Sequence, residues 1–321
     1  MVFKKIFDTL PPPKLLNIPY FAVSVSDKNI RCIYLSNRGQ KIELVKSSEY
    51  SIPEGVISGG HIENMDEFSN ILKKIKKEFG LNYVRMSISE EKAYLFKTKI
   101  PIVKRKEVRD AIESTLEDNV PVPAEELVFD FVVNDKTDLD DSLDVVVVAL
   151  PVKIVDSYVE AVSKAGLSMI SLEIESQAIS QSLLSRNDRN TNIIIYLNDE
   201  KMSVYVVNNS IVHFTSTTSI KGNIKDNVPF ISQEVRKIRT YWKSLEGSSS
   251  EDSIEEVIIC GDFVEEDVIS QISVNIKMPV VLGNVWTNVY NLDKSVPDIS
   301  FKDSLKFAPA IGLALPEDLL I

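Results

Sequence analysis

Phe21-Ala22-Val23-Ser24-Val25-Ser26-Asp27 can be laid over Ile193-Ile194-Ile195-Tyr196-Leu197-Asn198-Asp199. Each is an apolar run of strand length that gives way to polar turn residues. The sequels match as well. After the first run come the turn Ser26-Asp27-Lys28-Asn29, a strand over Ile30–Leu35, a turn at Ser36–Gly39 and a strand over Lys41–Lys46. After the second come the turn Asn198-Asp199-Glu200-Lys201, a strand over Met202–Val207, the Asn208-Asn209 turn and a strand over Ile211–Thr215. Both units then turn helical. Phe68, Ile71, Leu72, Ile75 and Phe79 keep helical spacing over residues 66–79, with Gly80 as the stop. Val235, Ile238, Trp242 and Leu245 do the same over Ser232–Leu245. Chance accounts for one matched hairpin. Two three-stranded matches, each leading into a helix, point to duplication.

Between the copies the rhythm changes. Val84–Ser89 and Ala93–Lys99 read as strands, and residues 104–118 as an amphipathic helix carrying Val108, Ala111, Ile112 and Leu116 on one side. Leu127–Val133 and Asp144–Leu150 are apolar strands, and Val155–Ala165 is a helix capped by Gly166. The acidic loop Asn134–Leu143 lacks the central glycine and closing glutamate of a calcium loop and reads as a solvated connection. These signals divide the chain into a leader (1–18), a first subdomain (19–102 and 172–190), an inserted α+β block (103–171), a second domain (191–316) and a tail (317–321).

Composition narrows the function. The 321 residues are 44% hydrophobic and 26% charged, an ordinary globular mix with enough chain for two domains. A net charge of -11 opposes phosphate backbones, so nucleic acid is not an expected partner. Two cysteines and two histidines, all far apart, exclude a Cys/His zinc site and a histidine-based triad. The lysines at 73, 74, 76 and 77 lie opposite the apolar side of their helix and read as a solvated face. No stretch is long and apolar enough to span a bilayer, and the first residues do not form a signal peptide. The expected location is cytoplasmic, with any membrane contact peripheral or through a partner.

Two copies of a β-β-β-helix unit facing each other make the α/β, actin-like (ribonuclease-H-like, duplicated) fold. There, two hairpin turns grip the phosphates of one nucleotide. That chemistry needs a small residue at each turn, so that backbone N–H groups can approach phosphate oxygens. It also needs a carboxylate at the strand end to hold the magnesium shell. The usual turn is Asp-x-Gly. Here the turns read Ser24-Val25-Ser26 and Tyr196-Leu197-Asn198. Asp27 and Asp199 follow, but displaced, and strand alternation gives them a different geometry. Gly261, in Ile258-Ile259-Cys260-Gly261-Asp262, falls where an adenine-contacting glycine pair is common. The candidate cofactor positions are thus Ser24, Ser26, Asp27, Asn198, Asp199 and Gly261. Each lost charge-assisted contact costs about 1.5–3 kcal/mol. The expectation is no catalytic residue, no metal site, no ATP hydrolysis and at most weak binding of magnesium ATP. Asp27, Asp199 and Gly261 then read mainly as turn residues.

An ordered series of segments resembles the PilM family, actin-like cytoplasmic proteins of type IV pilus assembly. It comprises Ile52-Pro53-Glu54-Gly55-Val56-Ile57 with Gly60 and Ile62, and Val108–Pro123 with Glu125–Asp130. It continues through Ala149-Leu150-Pro151, Val155–Tyr158, Ala165-Gly166-Leu167, Leu172–Ala178, Glu234-Val235-Arg236 with Tyr241, and Phe307–Leu315. The family's first phosphate motif, similar to Asp-Ile-Gly-Ser-Ser-x-x-Lys, is replaced here by Ser24–Arg31. The resemblance implies a scaffold rather than an enzyme. Such a scaffold clamps the N-terminal peptide of a PilN-type inner-membrane protein in a groove between the first subdomain and the insert, and links it to the pilus motor ATPase. The insert strands Leu127–Val133 and Val145–Leu150 are candidate walls. Alternatives are a GspL-like component of type II secretion, which normally continues into a transmembrane helix, an FtsA-like membrane tether, which expects a basic amphipathic terminus, and an active actin-like ATPase.

Overall fold

The computed structural model describes residues 18–38, 41–133, 142–186, 188–198, 201–246, 254–262, 264–290 and 297–316. The leader before Ile18, Asp199, most of the acidic loop, the Gly247–Asp252 loop and the 317–321 tail lie outside the described residues.

The first sheet has the order β10-β6-β1-β2-β3. Its strands are β1 (Tyr20–Val25), β2 (Asn29–Arg38), β3 (Lys41–Ser51), β6 (Tyr83–Ile88) and β10 (Ser168–Ile174). β1 runs antiparallel to β2 and parallel to β6. The second sheet, β13-β12-β11-β14-β15, repeats this order strand for strand. It is built from β11 (Thr191–Asn198), β12 (Lys201–Asn208), β13 (Ile211–Ser219), β14 (Ile254–Gly261) and β15 (Val280–Leu282). β11 is antiparallel to β12 and parallel to β14. The equivalence of β1 and β11 inferred from the aligned runs is therefore also an equivalence of sheet position. Both are central strands buried on both faces, which is why neither shows polar alternation.

Helix α1 (Met65–Phe79) covers the first sheet. Asn64 accepts from the Glu67 N–H at its start. Gly80, at φ 67°, closes it by donating to the Lys76 carbonyl. The short strands β4 (Ile57–Ser58) and β5 (His61–Ile62) precede it.

The inserted sheet, β7-β9-β8, corrects the expected boundaries. β7 (Tyr94–Pro101) pairs along its whole length with β9 (Ser142–Pro151), so the insert's sheet starts before residue 103. β8 (Leu127–Val133) is its other outer strand. At the far end, α4 (Val152–Lys164) packs its Ile154, Tyr158, Ala161 and Val162 into the first sheet's core, and β10 pairs with β6. Both belong to the first sheet because their apolar faces are buried there. The helix expected over 104–118 divides into a 3-10 turn, α2 (Val108–Glu113) and α3 (Leu116–Asn119). At the break, the Ser114 and Thr115 hydroxyls donate back to the Ala111 and Ile112 carbonyls.

The second half adds α6 (Val228–Glu246), one turn longer at its start than expected, and α7 (Glu266–Ile276). The short α8 (Phe301–Ser304) leads into the last turn, α9 (Ala308–Ala314). The two halves share one core. Ala22, Ile33 and Leu35 of the first sheet cluster with α5 (Glu175–Leu183), α9 and the second sheet. α5 and α9 touch so closely that a Cβ on Gly312 would lie 1.8 Å from the Ala178 carbonyl oxygen.

Candidate functional site in the cleft between the halves

The carboxyl ends of β1 and β6 in one half, and of β11 and β14 in the other, meet at a cleft. Open parallel sheets take ligands at such ends. Side chains from the two halves are paired across it.

Arg31 of β2 is the central cation. Its side chain is 4% exposed. Nη2 donates to both oxygens of Asp262, at 2.9 and 2.8 Å. Nη1 donates to the Tyr196 hydroxyl at 3.3 Å and to the Lys306 carbonyl at 3.2 Å. Nε donates to Glu49 at 2.7 Å. Burial works against its charge, yet the Tyr196 oxygen, Asp262 and Glu49 push its pKa above the ordinary value. Lys306 holds the other Glu49 oxygen at 2.5 Å. Burial alone would raise the Glu49 carboxyl, but Lys306 and Arg31 hold it below the usual range.

Lys201, the first residue of β12, forms the second link. It donates to Asp27 at 2.8 Å and also binds Glu91. Asp27 accepts two further bonds, from the Gly59 and Gly60 N–H groups, each at 3.0 Å. Burial would raise the Asp27 carboxyl, but Lys201, Gly60 and Gly59 together hold it below its ordinary value.

Behind these links lie two buried carboxyls. Glu90 accepts from the Ser176 N–H, and the Tyr205 hydroxyl reaches it at 3.4 Å. Glu175, the first residue of α5, receives the Ser24 hydroxyl at 3.5 Å. Burial raises both carboxyls, and Glu90 adds to the rise at Glu175. A polar cavity of about 530 Å³ lies beside Glu90, lined by Glu90, Glu91, Ala93, Lys201, Thr215, Thr217 and Ser219. Among the described residues no group of His, Cys, Asp and Glu side chains is arranged to hold a metal ion.

The sequence-derived positions fare differently. Ser24 and Asp27 are in the cleft. Ser26 only closes its own turn, its hydroxyl donating to the Asn29 carbonyl and accepting the Asn29 N–H. Asn198 ends β11 opposite Lys201, and Asp199 lies outside the described residues. Asp27 is more than a turn residue, because it ties the first half to Lys201 of the second. Gly261 serves backbone packing. It has φ 108°, and a Cβ there would lie 2.0 Å from the Leu197 carbonyl oxygen. Asp262 N–H donates to that same carbonyl at 2.7 Å, so the glycine turn delivers Asp262 to Arg31. Arg31, Glu49, Glu90, Glu91, Glu175, Lys201, Asp262 and Lys306 were not among the predicted positions. Arg31 falls at the lysine position of the altered motif, and Lys201, Asp262 and Glu175 lie in quoted segments, but none was singled out.

Duplicated sheets around a cleft that their own charges bridge define an actin-like protein. The chain belongs to the family of the type IV pilus assembly protein PilM, whose model matches residues 22–228. A solved structure described as the PilM-PilN type IV pilus biogenesis complex superposes with a TM-score of 0.80 at 16% identity, over 95% of this chain and 99% of that one. The ethanolamine utilization protein EutJ from Carboxydothermus hydrogenoformans gives 0.49 at 11% identity, over 95% and 90%. The cytoplasmic domain of EpsL, an inner membrane component of the type II secretion system of Vibrio cholerae, gives 0.49 at 12%, over 80% and 93%. No curated protein matches the chain in sequence. Among the described residues no helix is long and apolar enough to cross a membrane.

Proposed function

We propose that this chain is a cytoplasmic scaffold of type IV pilus assembly that captures the N-terminal tail of a PilN-type inner-membrane protein and works without bound nucleotide. The observation that carries the capture is β8. It is an outer strand of the insert's sheet, and on one face it presents Val128 and Val132, 40% and 47% exposed, on either side of Asp130. An outer strand offers backbone donors and acceptors to an extended peptide, and exposed valines two pleats apart offer it apolar seats.

The cleft supports the second clause. A magnesium triphosphate would have to compete for Arg31, Lys201 and Lys306, which are already paired with Asp27, Glu49, Glu91 and Asp262. Glu90 and Glu91 also line the cavity beside Lys201, where they oppose a phosphate. These residues do not fit the nucleotide, and no catalytic step is assigned to them.

The test is calorimetric titration of the full chain with a synthetic peptide of the partner's N-terminus, beside magnesium ATP. Peptide binding that Val132→Lys weakens at least tenfold, with no heat from ATP, is the expected result. Unchanged peptide affinity in Val128→Lys and Val132→Lys would remove β8 from the interface. Saturable ATP binding would overturn nucleotide independence.

A further inference from the structure

Arg31 and Asp262 come from different halves and lie 231 positions apart in the chain. Three features of their contact stand out. The guanidinium is enclosed, with each of its three nitrogens donating to an oxygen. Both oxygens of one carboxylate converge on Nη2. That carboxylate arrives on a backbone turn only glycine can make at this spacing from Leu197. Guanidinium groups of this kind select planar or tetrahedral oxyanions, carboxylate and phosphate alike. The pair also sits at strand ends where a ligand would otherwise lie.

We propose that Asp262 is an internal ligand: its carboxylate fills an oxyanion site built around Arg31 and so holds the two halves together in place of a bound phosphate compound. This rests on the nucleotide-independent reading above and adds the group responsible for it. The site suits a carboxylate- or phosphate-type oxyanion and is occupied by the chain itself. Removing Asp262 leaves a buried cation without its principal anion, and an added oxyanion can then take the place.

The experiment is thermal melting of the full chain, wild type against Asp262→Ala and Asp262→Asn, with saturating sodium pyrophosphate or with chloride at matched ionic strength. The wild type should not respond to pyrophosphate. Both variants should melt lower, and pyrophosphate should restore about 5 °C where chloride does not. Folded variants that pyrophosphate leaves unmoved would overturn the internal-ligand role while leaving the nucleotide-independent reading intact. A wild-type shift with pyrophosphate or magnesium ATP would overturn both. If neither variant folds alone, refolding them in pyrophosphate decides. Recovery there but not in chloride supports the role, and no recovery overturns it.

Discussion

Replacing Gly312 by alanine tests how tightly the central helices are set. The added methyl would lie 1.8 Å from the Ala178 oxygen, 2.7 Å from its carbonyl carbon and 3.2 Å from its Cα. Non-bonded heavy atoms settle about 3.5 Å apart, so α5 and α9 must part by about 1.7 Å. A gap of that size forfeits much of the dispersion contact around buried Ile179, Ala310, Ile311 and Leu313. Overpacking of this kind costs about 1–3 kcal/mol and can exceed it where backbone must move. Alanine gains about 1 kcal/mol over glycine in helix propensity, which offsets part of the cost. The expected balance is a loss of about 2 kcal/mol, read as a melting temperature lowered by about 4–6 °C or as an earlier urea midpoint with unchanged slope. Glu175 begins α5, so the shift should also disturb the cleft, visible as faster amide exchange at Ser176. A variant that melts at or above the wild type would refute the argument. Helix propensity would then outweigh the contact, and α5 and α9 would not be a fixed pair.

Lys201→Ala should cost about 1 kcal/mol by urea unfolding, since Asp27 keeps its two glycine amides. Asp27's carboxyl is depressed in the folded state, so its stabilisation is present above the ordinary value of 3.8 and is lost as pH falls below it. The variant's stability should therefore fall less steeply below pH 3.8 than the wild type's. Glu175 behaves in the opposite sense. Its raised carboxyl means that stability declines as pH rises above the ordinary 4.5, so Glu175→Gln should gain on the wild type at pH 7 but not at pH 4. Melting curves at the two pH values check this. Gly261→Ala places a methyl against the Leu197 backbone at a left-handed φ and should lower the melting temperature by more than 5 °C. A change within 1 °C would show that β14 can give way there.

The strands, the repeat and α1 were legible because their signals are local: apolar runs, polar turns, Gly80 as a stop. Membership in a sheet was not. Ala93–Lys99 is a plain strand in the sequence, but only the register of β7 with β9 shows that it opens the insert. The sequence also showed that the nucleotide turns are altered, because Ser24, Ser26, Tyr196 and Asn198 occupy fixed offsets from the strands. It could not show what replaced them. Nothing in the sequence pairs Arg31 with Asp262 until folding brings them to 2.8 Å. Glu90 carried no motif and Glu175 only a place in the family-like segment Leu172–Ala178, and their shared burial is what makes them notable.

The placement of α9 bears on how the chain is made. The residues that cover β1, β2 and β6 from the inner side, Ala308 to Leu315, leave the ribosome only after the whole second sheet has been made. Until they emerge, the first sheet has an open apolar back, and Tyr20 lacks the carbonyls of Ala314 and Leu315 that it binds in the finished fold. The N-terminal half therefore cannot settle during its own synthesis. A premature stop anywhere before residue 308 should leave it a client of chaperones and proteases rather than a shorter working protein.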